Sequence, residues 1–129
     1  MKSTAEVSIY IIEDDFHFRE TFIDVMSLRG VQAQGAGSGF EGLNALREGR
    51  PSVIVLDVQL PDMHGFELCR RIKRQEAFKN TPVILLSAST QYSDPRDRVE
   101  GLLAGASAFL SKPITMERLW VEIEALLKR

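Results

Sequence analysis

The sequence has few of the features that mark whole classes of protein. Cys69 is the only cysteine among 129 residues, so the chain cannot form an internal disulfide or a cysteine-rich zinc site. No apolar run approaches the roughly 20 residues that a transmembrane helix needs, and residues 1–6 lack the apolar segment of a signal peptide. We therefore expect a soluble, cytoplasmic protein without membrane contacts.

Charges of the two signs are nearly balanced. The formal net charge is -2, which does not provide the basic surface that nucleic-acid binding requires. The one basic cluster contains Arg70, Arg71, Lys73 and Arg74, and such a run is typical of a solvated helix face. We therefore predict no direct binding to nucleic acid. We also expect His17 and His64 to be exposed polar residues, because neither has a partner at metal-ligand spacing.

Two continuous apolar runs, residues 53–56 and 83–86, carry β-branched side chains and predict central parallel strands covered on both faces. Residues 9–12 and 108–110 predict two further strands. Residues 31–33 predict a short second strand.

Amphipathic segments separate these strands. Gly30 is placed to end the first helix, Ser38 to cap the second, and Asp94-Pro95 to begin the fourth. The side chains predicted to line the core are Phe18, Phe22, Val25 and Met26, then Phe40, Leu43 and Leu46, then Leu68, Cys69 and Ile72, and finally Met116, Leu119, Trp120, Ile123, Leu126 and Leu127. Five β-α units predict one doubly wound α/β domain, (βα)5, over residues 1–129, with helices on both faces of a five-stranded parallel sheet.

Acidic, hydroxyl and basic residues follow four of the predicted strands. They are Glu13-Asp14, Asp57, Ser87 and Lys112. Because parallel strands present their carboxyl ends at one edge of a sheet, we expect these side chains to meet there. Carboxylates form an all-oxygen ligand set that suits Mg²⁺, while a hydroxyl and an ammonium suit phosphoryl oxygens. The pattern predicts phosphoryl chemistry with Asp57 as the nucleophile.

In order and spacing these motifs resemble the receiver domain of two-component response regulators, over essentially the whole chain. The matching residues are Ile11-Ile12-Glu13-Asp14-Asp15, Val53-Ile54-Val55-Leu56-Asp57, Pro61-Asp62-Met63-His64-Gly65, Leu85-Leu86-Ser87-Ala88, Gly105-Ala106 and Phe109-Leu110-Ser111-Lys112-Pro113. The resemblance implies a flavodoxin-like strand order, 2-1-3-4-5.

The resemblance also implies a role for each site residue. Asp57 is then the phosphoacceptor and a metal ligand, Asp14 a direct Mg²⁺ ligand, Glu13 a ligand through water, and the Gln59 backbone carbonyl a further ligand, while Ser87 and Lys112 contact the phosphoryl group. By the same resemblance Ser87 and Phe109 form the conformational switch, and the Lys112-Pro113 peptide bond is cis.

A receiver domain implies protein partners. The expected phosphodonor is a sensor histidine kinase or a histidine phosphotransfer protein, and the expected chemistry is limited to phosphorylation and dephosphorylation of the domain itself. The output is either a separate effector protein or a fused DNA-binding or enzymatic domain, and the sequence leaves both open. We expect a monomer or a weak dimer.

A rival interpretation is a dinucleotide-binding protein. Gly37-Ser38-Gly39-Phe40-Glu41-Gly42 is a literal G-x-G-x-x-G, and Asp57 lies 20 residues beyond its first glycine. The segment before it is short and polar, however, and the chain is too short to include a substrate domain. A phosphatase with an aspartate nucleophile is a further alternative, but Asp57-Val58-Gln59 lacks the second acid.

Overall fold

The computed structural model describes residues 7–88 and 95–128. In that part of the chain five strands form one parallel sheet in the order β2-β1-β3-β4-β5. Their bounds are Ser8–Ile12 for β1, Gln32–Ala36 for β2, Val53–Asp57 for β3, Val83–Ser87 for β4 and Ala108–Ser111 for β5. The predicted fold class and strand order are confirmed.

A helix follows each strand. The bounds are Phe16–Leu28 for α1, Gly39–Leu46 for α2, Gly65–Lys73 for α3, Pro95–Leu103 for α4 and Met116–Leu127 for α5, with a short 3-10 helix at Glu76–Phe78. No helix within the described residues is both long enough and apolar enough to cross a membrane.

Apolar side chains cover the sheet on both faces. On one face α1 and α5 pack through Phe22, Met26, Trp120 and Ile123, all buried. On the other face the core receives side chains from α2 and α3, together with Phe109 of β5. The continuous runs of β3 and β4 are buried along their whole length, because each lies between two other strands and between two helical layers.

The second β-α unit differs from its prediction in two details. Strand β2 runs from Gln32 to Ala36, three residues beyond the predicted end, and most of it is exposed because it is an edge strand. Phe40, predicted to line the core, is 61% exposed, whereas Leu46 of the same helix is fully buried. The buried positions of α2 are Gly39, Gly42 and Leu46, so Phe40 lies outside the buried stripe of the helix.

Side chains and glycine define the helix ends. Asp15, Ser38, His64 and Thr115 each accept a backbone N–H at the start of a helix. Gly30 has a φ of 77° directly after α1, as its predicted role as a helix terminator requires. The predicted cap Asp94 lies outside the described residues.

Candidate functional site

The strand register brings the predicted residues to one edge of the sheet. Ile12 is opposite Leu56, so Glu13 follows its strand beside Asp57. Asp57 is opposite Leu86, which places Ser87 one residue further along the next strand. Ser87 is opposite Ser111 in turn, and the Lys112 amide donates to the Ser87 carbonyl at 2.8 Å.

Lys112 lies at the centre of the cluster. Its ammonium contacts Glu13 Oε1 and lies 3.2 Å from Asp57 Oδ2. The same ammonium is 4.3 Å from the centroid of the Phe18 ring, which provides a cation–π contact. Two carboxylates and an aromatic ring therefore surround a lysine side chain that is only 14% exposed.

The acidic segment after β1 is held by several hydrogen bonds. Glu13 Oε2 accepts the Asp15 amide at 3.2 Å, and the Asp15 side chain accepts the Phe18 amide to cap α1. Arg19 donates to the Glu13 backbone carbonyl at 2.6 Å. These contacts leave Glu13 buried and Asp14 exposed, so the adjacent acids face different environments.

Burial and a neighbouring carboxylate change the protonation of Glu13. Desolvation, followed by a hydrogen bond to Asp57 and repulsion from its charge, raises the pKa of Glu13 to about 8, although Lys112 acts in the opposite direction. Desolvation alone would lower the pKa of Lys112, but the hydrogen bond to Glu13 and the charges of both acids raise it above its ordinary value. Lys112 therefore stays charged while Glu13 titrates.

The acids also form a candidate cation site. One oxygen from each of Glu13, Asp14 and Asp57 lies within 4.8 Å of the others, and no other such cluster occurs in residues 7–88 and 95–128. Carboxylate oxygens are hard ligands that match Mg²⁺ or Ca²⁺, and no cysteine or histidine belongs to the cluster. The site thus fits a divalent cation of this kind.

The segment after β3 approaches the phosphoacceptor candidate closely. The Gln59 amide donates to Asp57 Oδ1 at 2.8 Å, and Gln59 forms an isolated bridge with His64. A Cβ on Gly65 would lie 2.4 Å from the Asp57 carbonyl oxygen and 2.6 Å from Val58 Cα. Only glycine therefore lets α3 begin this close to the end of β3.

The two predicted switch residues are both buried, Ser87 at 3% exposure and Phe109 at 4%. The Phe109 ring packs against Phe66 with centroids 6.1 Å apart, and the Arg98 guanidinium lies over the Phe109 ring, 5.6 Å from its centroid. Arg98 also donates to the Phe109 carbonyl at 3.2 Å. The Lys112-Pro113 bond is cis, as predicted.

The rival glycine motif is not available to a dinucleotide. Asp62 accepts the Gly39 and Phe40 amides, both at 2.8 Å, and Ser38 accepts the Glu41 amide, so the amides that would bind a pyrophosphate are paired within the chain. Strand β1 lies between β2 and β3, so the strands before and after the motif are not neighbours as a dinucleotide unit requires. The dinucleotide interpretation is therefore wrong.

These hydrogen bonds also affect the pKa of the Asp62 carboxylate. Partial desolvation opposes its ionisation, but the hydrogen bonds from Phe40, Gly39 and nearby amides outweigh it and hold the pKa of Asp62 below its ordinary value. The sequence pattern predicted no role for Asp62. In the sequence Asp62 is an acid in a turn shortly before a helix, and many solvated aspartates share that position.

The comparisons with known proteins decide the family. A family model described as response regulator receiver domain matches residues 9–124. The chain belongs to this family. The receiver domain is 40% identical over 122 residues to the transcriptional regulatory protein GltR of Pseudomonas aeruginosa, covering 95% of this chain and 49% of GltR. It is 42% identical over 122 residues to the transcriptional regulatory protein AfsQ1 of Streptomyces coelicolor, covering 95% of this chain and 52% of AfsQ1.

Solved structures agree with this assignment. The chemotaxis response regulator CheY4 of Vibrio cholerae superposes with a TM-score of 0.86 at 28% identity, covering 93% of this receiver and 98% of CheY4. The BeF3-activated receiver domain of DrrB superposes with a TM-score of 0.82 at 31% identity, covering 95% and 98%. The chain spans about half the length of the curated relatives GltR and AfsQ1.

One expectation about surface residues of the receiver needs correction, and one gains a detail. Lys73, predicted to be solvated, is half-buried and donates to the Phe78 and Thr81 carbonyls at 3.0 and 2.6 Å. His64 is exposed as predicted, but it also caps α3, because its Nδ1 accepts the Phe66 amide at 3.1 Å. Neither contact has a sequence signal, since both depend on how the chain turns before the neighbouring element.

Proposed function

We propose that Asp57 accepts a phosphoryl group from the phosphohistidine of a sensor histidine kinase or a histidine phosphotransfer protein. The N–P bond of the donor breaks, an O–P bond to the Asp57 carboxylate forms, and the imidazole leaves with a proton. The observation that carries this proposal is the Lys112 ammonium, which contacts both Asp57 and Glu13 at the edge where three acids converge. Such a site neutralises charge on transferred oxygens.

Each neighbour then has a defined task. Lys112 binds a phosphoryl oxygen, and the Ser87 hydroxyl donates to another. Glu13, Asp14, Asp57 and the Gln59 backbone carbonyl hold Mg²⁺. When bound, this ion supplies positive charge that offsets repulsion between the Asp57 carboxylate and the incoming phosphoryl group.

Phosphorylation acts as a switch in this proposal. The phosphoryl group attracts Ser87 toward Asp57, and Phe109 occupies the space that Ser87 leaves. Ser87 and Phe109 lie on adjacent strands, and Phe109 already packs inward against Phe66. The output surface then lies within residues 95–128, which include α4, β5 and α5.

The partner at the output surface belongs to one of two classes. GltR and AfsQ1 are named transcriptional regulators and are about twice as long as this chain. We therefore favour a receiver that controls a fused output domain over one that binds a separate effector. We further propose that the receiver acts in the cytoplasm, as a monomer or a weak dimer, and catalyses only its own phosphorylation and dephosphorylation.

Intact-mass measurement tests the chemistry. The protein is incubated with acetyl phosphate or phosphoramidate, with and without Mg²⁺, beside an Asp57→Asn variant. We expect the mass of one phosphoryl group to be added only to the wild type and only with Mg²⁺. A stoichiometric gain in the variant would contradict the role of Asp57.

A second variant separates phosphorylation from switching. Lys112→Ala should still bind Mg²⁺, because no metal ligand is removed, but phosphorylation should no longer alter the NMR signals of Phe109. Loss of Mg²⁺ binding in this variant would show that Lys112 supports the metal site instead.

A further inference from the structure

Asp62 connects two parts of the chain that are distant in sequence. It lies in the loop between β3 and α3, and its two carboxylate oxygens accept the Gly39 and Phe40 amides of α2, both at 2.8 Å. These are charge-assisted bonds at the positive end of a helix dipole. Asp62 thus fixes this loop to the first turn of α2.

Helix capping alone does not explain this contact. Ser38 already caps α2 by accepting the Glu41 amide at 3.1 Å. The residue after Asp62 also rests on the helix, since a Cβ on Gly39 would lie 2.6 Å from Met63 Cγ. Two consecutive loop residues therefore pack on a helix that has its own local cap.

Helix α2 is in turn seated on the strand that carries the acidic pair. A Cβ on Gly42 would lie 2.5 Å from Ile12 Cδ1, so the helix backbone rests directly on the last residue of β1. Glu13 and Asp14 follow immediately. The helix that holds Asp62 is thereby fixed relative to these two acids.

The loop of Asp62 also carries the remaining expected ligand. Gln59 lies at the base of the loop, where it bridges to His64 and donates to Asp57 Oδ1. The bridge closes the loop at its base, and Asp62 fixes its tip, three residues after Gln59. Asp62 therefore joins the segment of Gln59 to the helix that rests beside Glu13 and Asp14.

We propose that Asp62 is a positioning residue for the cation site, because it holds the loop between β3 and α3, and with it Gln59, in a fixed position relative to Glu13 and Asp14. The inference rests on the proposed function in one respect, since it takes Glu13, Asp14 and the Gln59 carbonyl as the ligands. Loss of the Asp62 contact would then weaken Mg²⁺ binding without removing any ligand.

The test compares two variants that each remove one side-chain acceptor from the start of α2. Asp62→Ala releases the loop, whereas Ser38→Ala removes the local cap and leaves the loop attached. We expect a lower Tm for both. Only Asp62→Ala should raise the Mg²⁺ dissociation constant, by about tenfold, as is usual when an outer partner of a metal ligand is lost. Isothermal titration with Mg²⁺ gives the constant.

A conservative variant and a metal-free measurement complete the test. Asp62→Asn keeps the shape and one acceptor oxygen, so its dissociation constant should lie between those of the wild type and Asp62→Ala. Without metal, amide hydrogen exchange across residues 59–63 should be faster in Asp62→Ala than in Ser38→Ala.

Two results would overturn the inference: equal Mg²⁺ affinity in Asp62→Ala and Ser38→Ala, or unchanged exchange in the loop of Asp62→Ala. Absence of Mg²⁺ binding by the wild type would contradict the proposed metal site itself, and the exchange measurement would still decide whether Asp62 holds the loop.

Discussion

Two strand ends in this receiver carry a sequence pattern associated with phosphate, and their surroundings differ. At the end of β3, Asp57 meets buried Glu13 and the ammonium of Lys112. At the end of β2, the glycine-rich segment starts a helix whose first amides are already bonded to Asp62 and Ser38. A helix start binds phosphate through unpaired amides, so the pairing within the chain matters more than the glycine spacing.

The largest effect is expected at the acids. Asp14→Ala removes a proposed ligand. The Mg²⁺ dissociation constant should therefore rise by roughly a hundredfold, which is the largest loss of affinity that is typical even when only an outer-shell partner of a ligand is removed. The matched control is Asp15→Asn, which keeps the side-chain acceptor that caps α1. Calorimetric titration should show wild-type affinity for the control. Equal loss in both variants would mean that general negative charge, rather than the position of Asp14, attracts the ion.

Glycine substitutions at the same two strand ends should differ in their effect on stability. Gly65→Ala places a Cβ against backbone atoms of Asp57 and Val58 and should lower the free energy of unfolding by about 2 kcal/mol. Gly37→Ala meets only side-chain atoms, at 3.3 Å and beyond, and should stay within about 0.5 kcal/mol of the wild type. Urea denaturation measures both. A larger cost at Gly37 would restore a special role for the glycine motif.

The pH dependence of metal binding tests the buried acid. Because the pKa of Glu13 is about 8, a proton must leave before a cation binds at neutral pH. Mg²⁺ affinity should therefore rise by up to about tenfold per pH unit below 8 and level off above it. Titrations at several pH values measure this slope. Glu13→Gln should abolish it, and an unchanged slope in that variant would assign the proton to another group.

Metal-free stability should show the opposite trend with pH. Since the pKa of Glu13 is raised from its ordinary 4.5 to about 8, the native state binds this proton more tightly than the unfolded state does. The contribution of Glu13 to the free energy of unfolding therefore falls as the pH rises through that window. Comparison of wild type and Glu13→Gln by urea denaturation isolates this contribution.

The smallest effect concerns the aromatic neighbour of Lys112. Phe18→Leu removes the π face that lies 4.3 Å from the ammonium. A double-mutant cycle with Lys112→Met should give a coupling energy of about 0.5–1 kcal/mol. Phe18→Tyr, which keeps an aromatic face, should retain most of it. A coupling near zero would mean that Phe18 contributes only apolar packing.

Structure was predicted most accurately from the sequence where a single physical cause determines a residue's environment. The runs of β3 and β4 are buried on both faces, so their apolar character marked them clearly, and the residues after them followed from parallel geometry. Strand β2 was placed too early because an edge strand is largely solvated and carries no such run. Phe40 was assigned to the core because its apolar character does not reveal that the small residues Gly39 and Gly42 occupy the buried stripe of α2.

Contacts between distant segments were beyond sequence analysis. Asp62 and Gly39 are 23 residues apart, and nothing local to either indicates that they meet. The Lys73 contacts with the Phe78 and Thr81 carbonyls likewise depend on the path between α3 and β4. The resemblance to receiver domains gave the order of the site residues, whereas the structure gave their hydrogen bonds and burial.

The most direct test of the central claim locates the phosphoryl group. Protein treated with a small phosphodonor and Mg²⁺ is reduced with borohydride, which converts an aspartyl phosphate to homoserine, and the peptides are sequenced by mass spectrometry. We predict homoserine at position 57 and unchanged aspartate at positions 14, 15 and 62. Stoichiometric conversion at any of those positions, with Asp57 intact, would contradict the account.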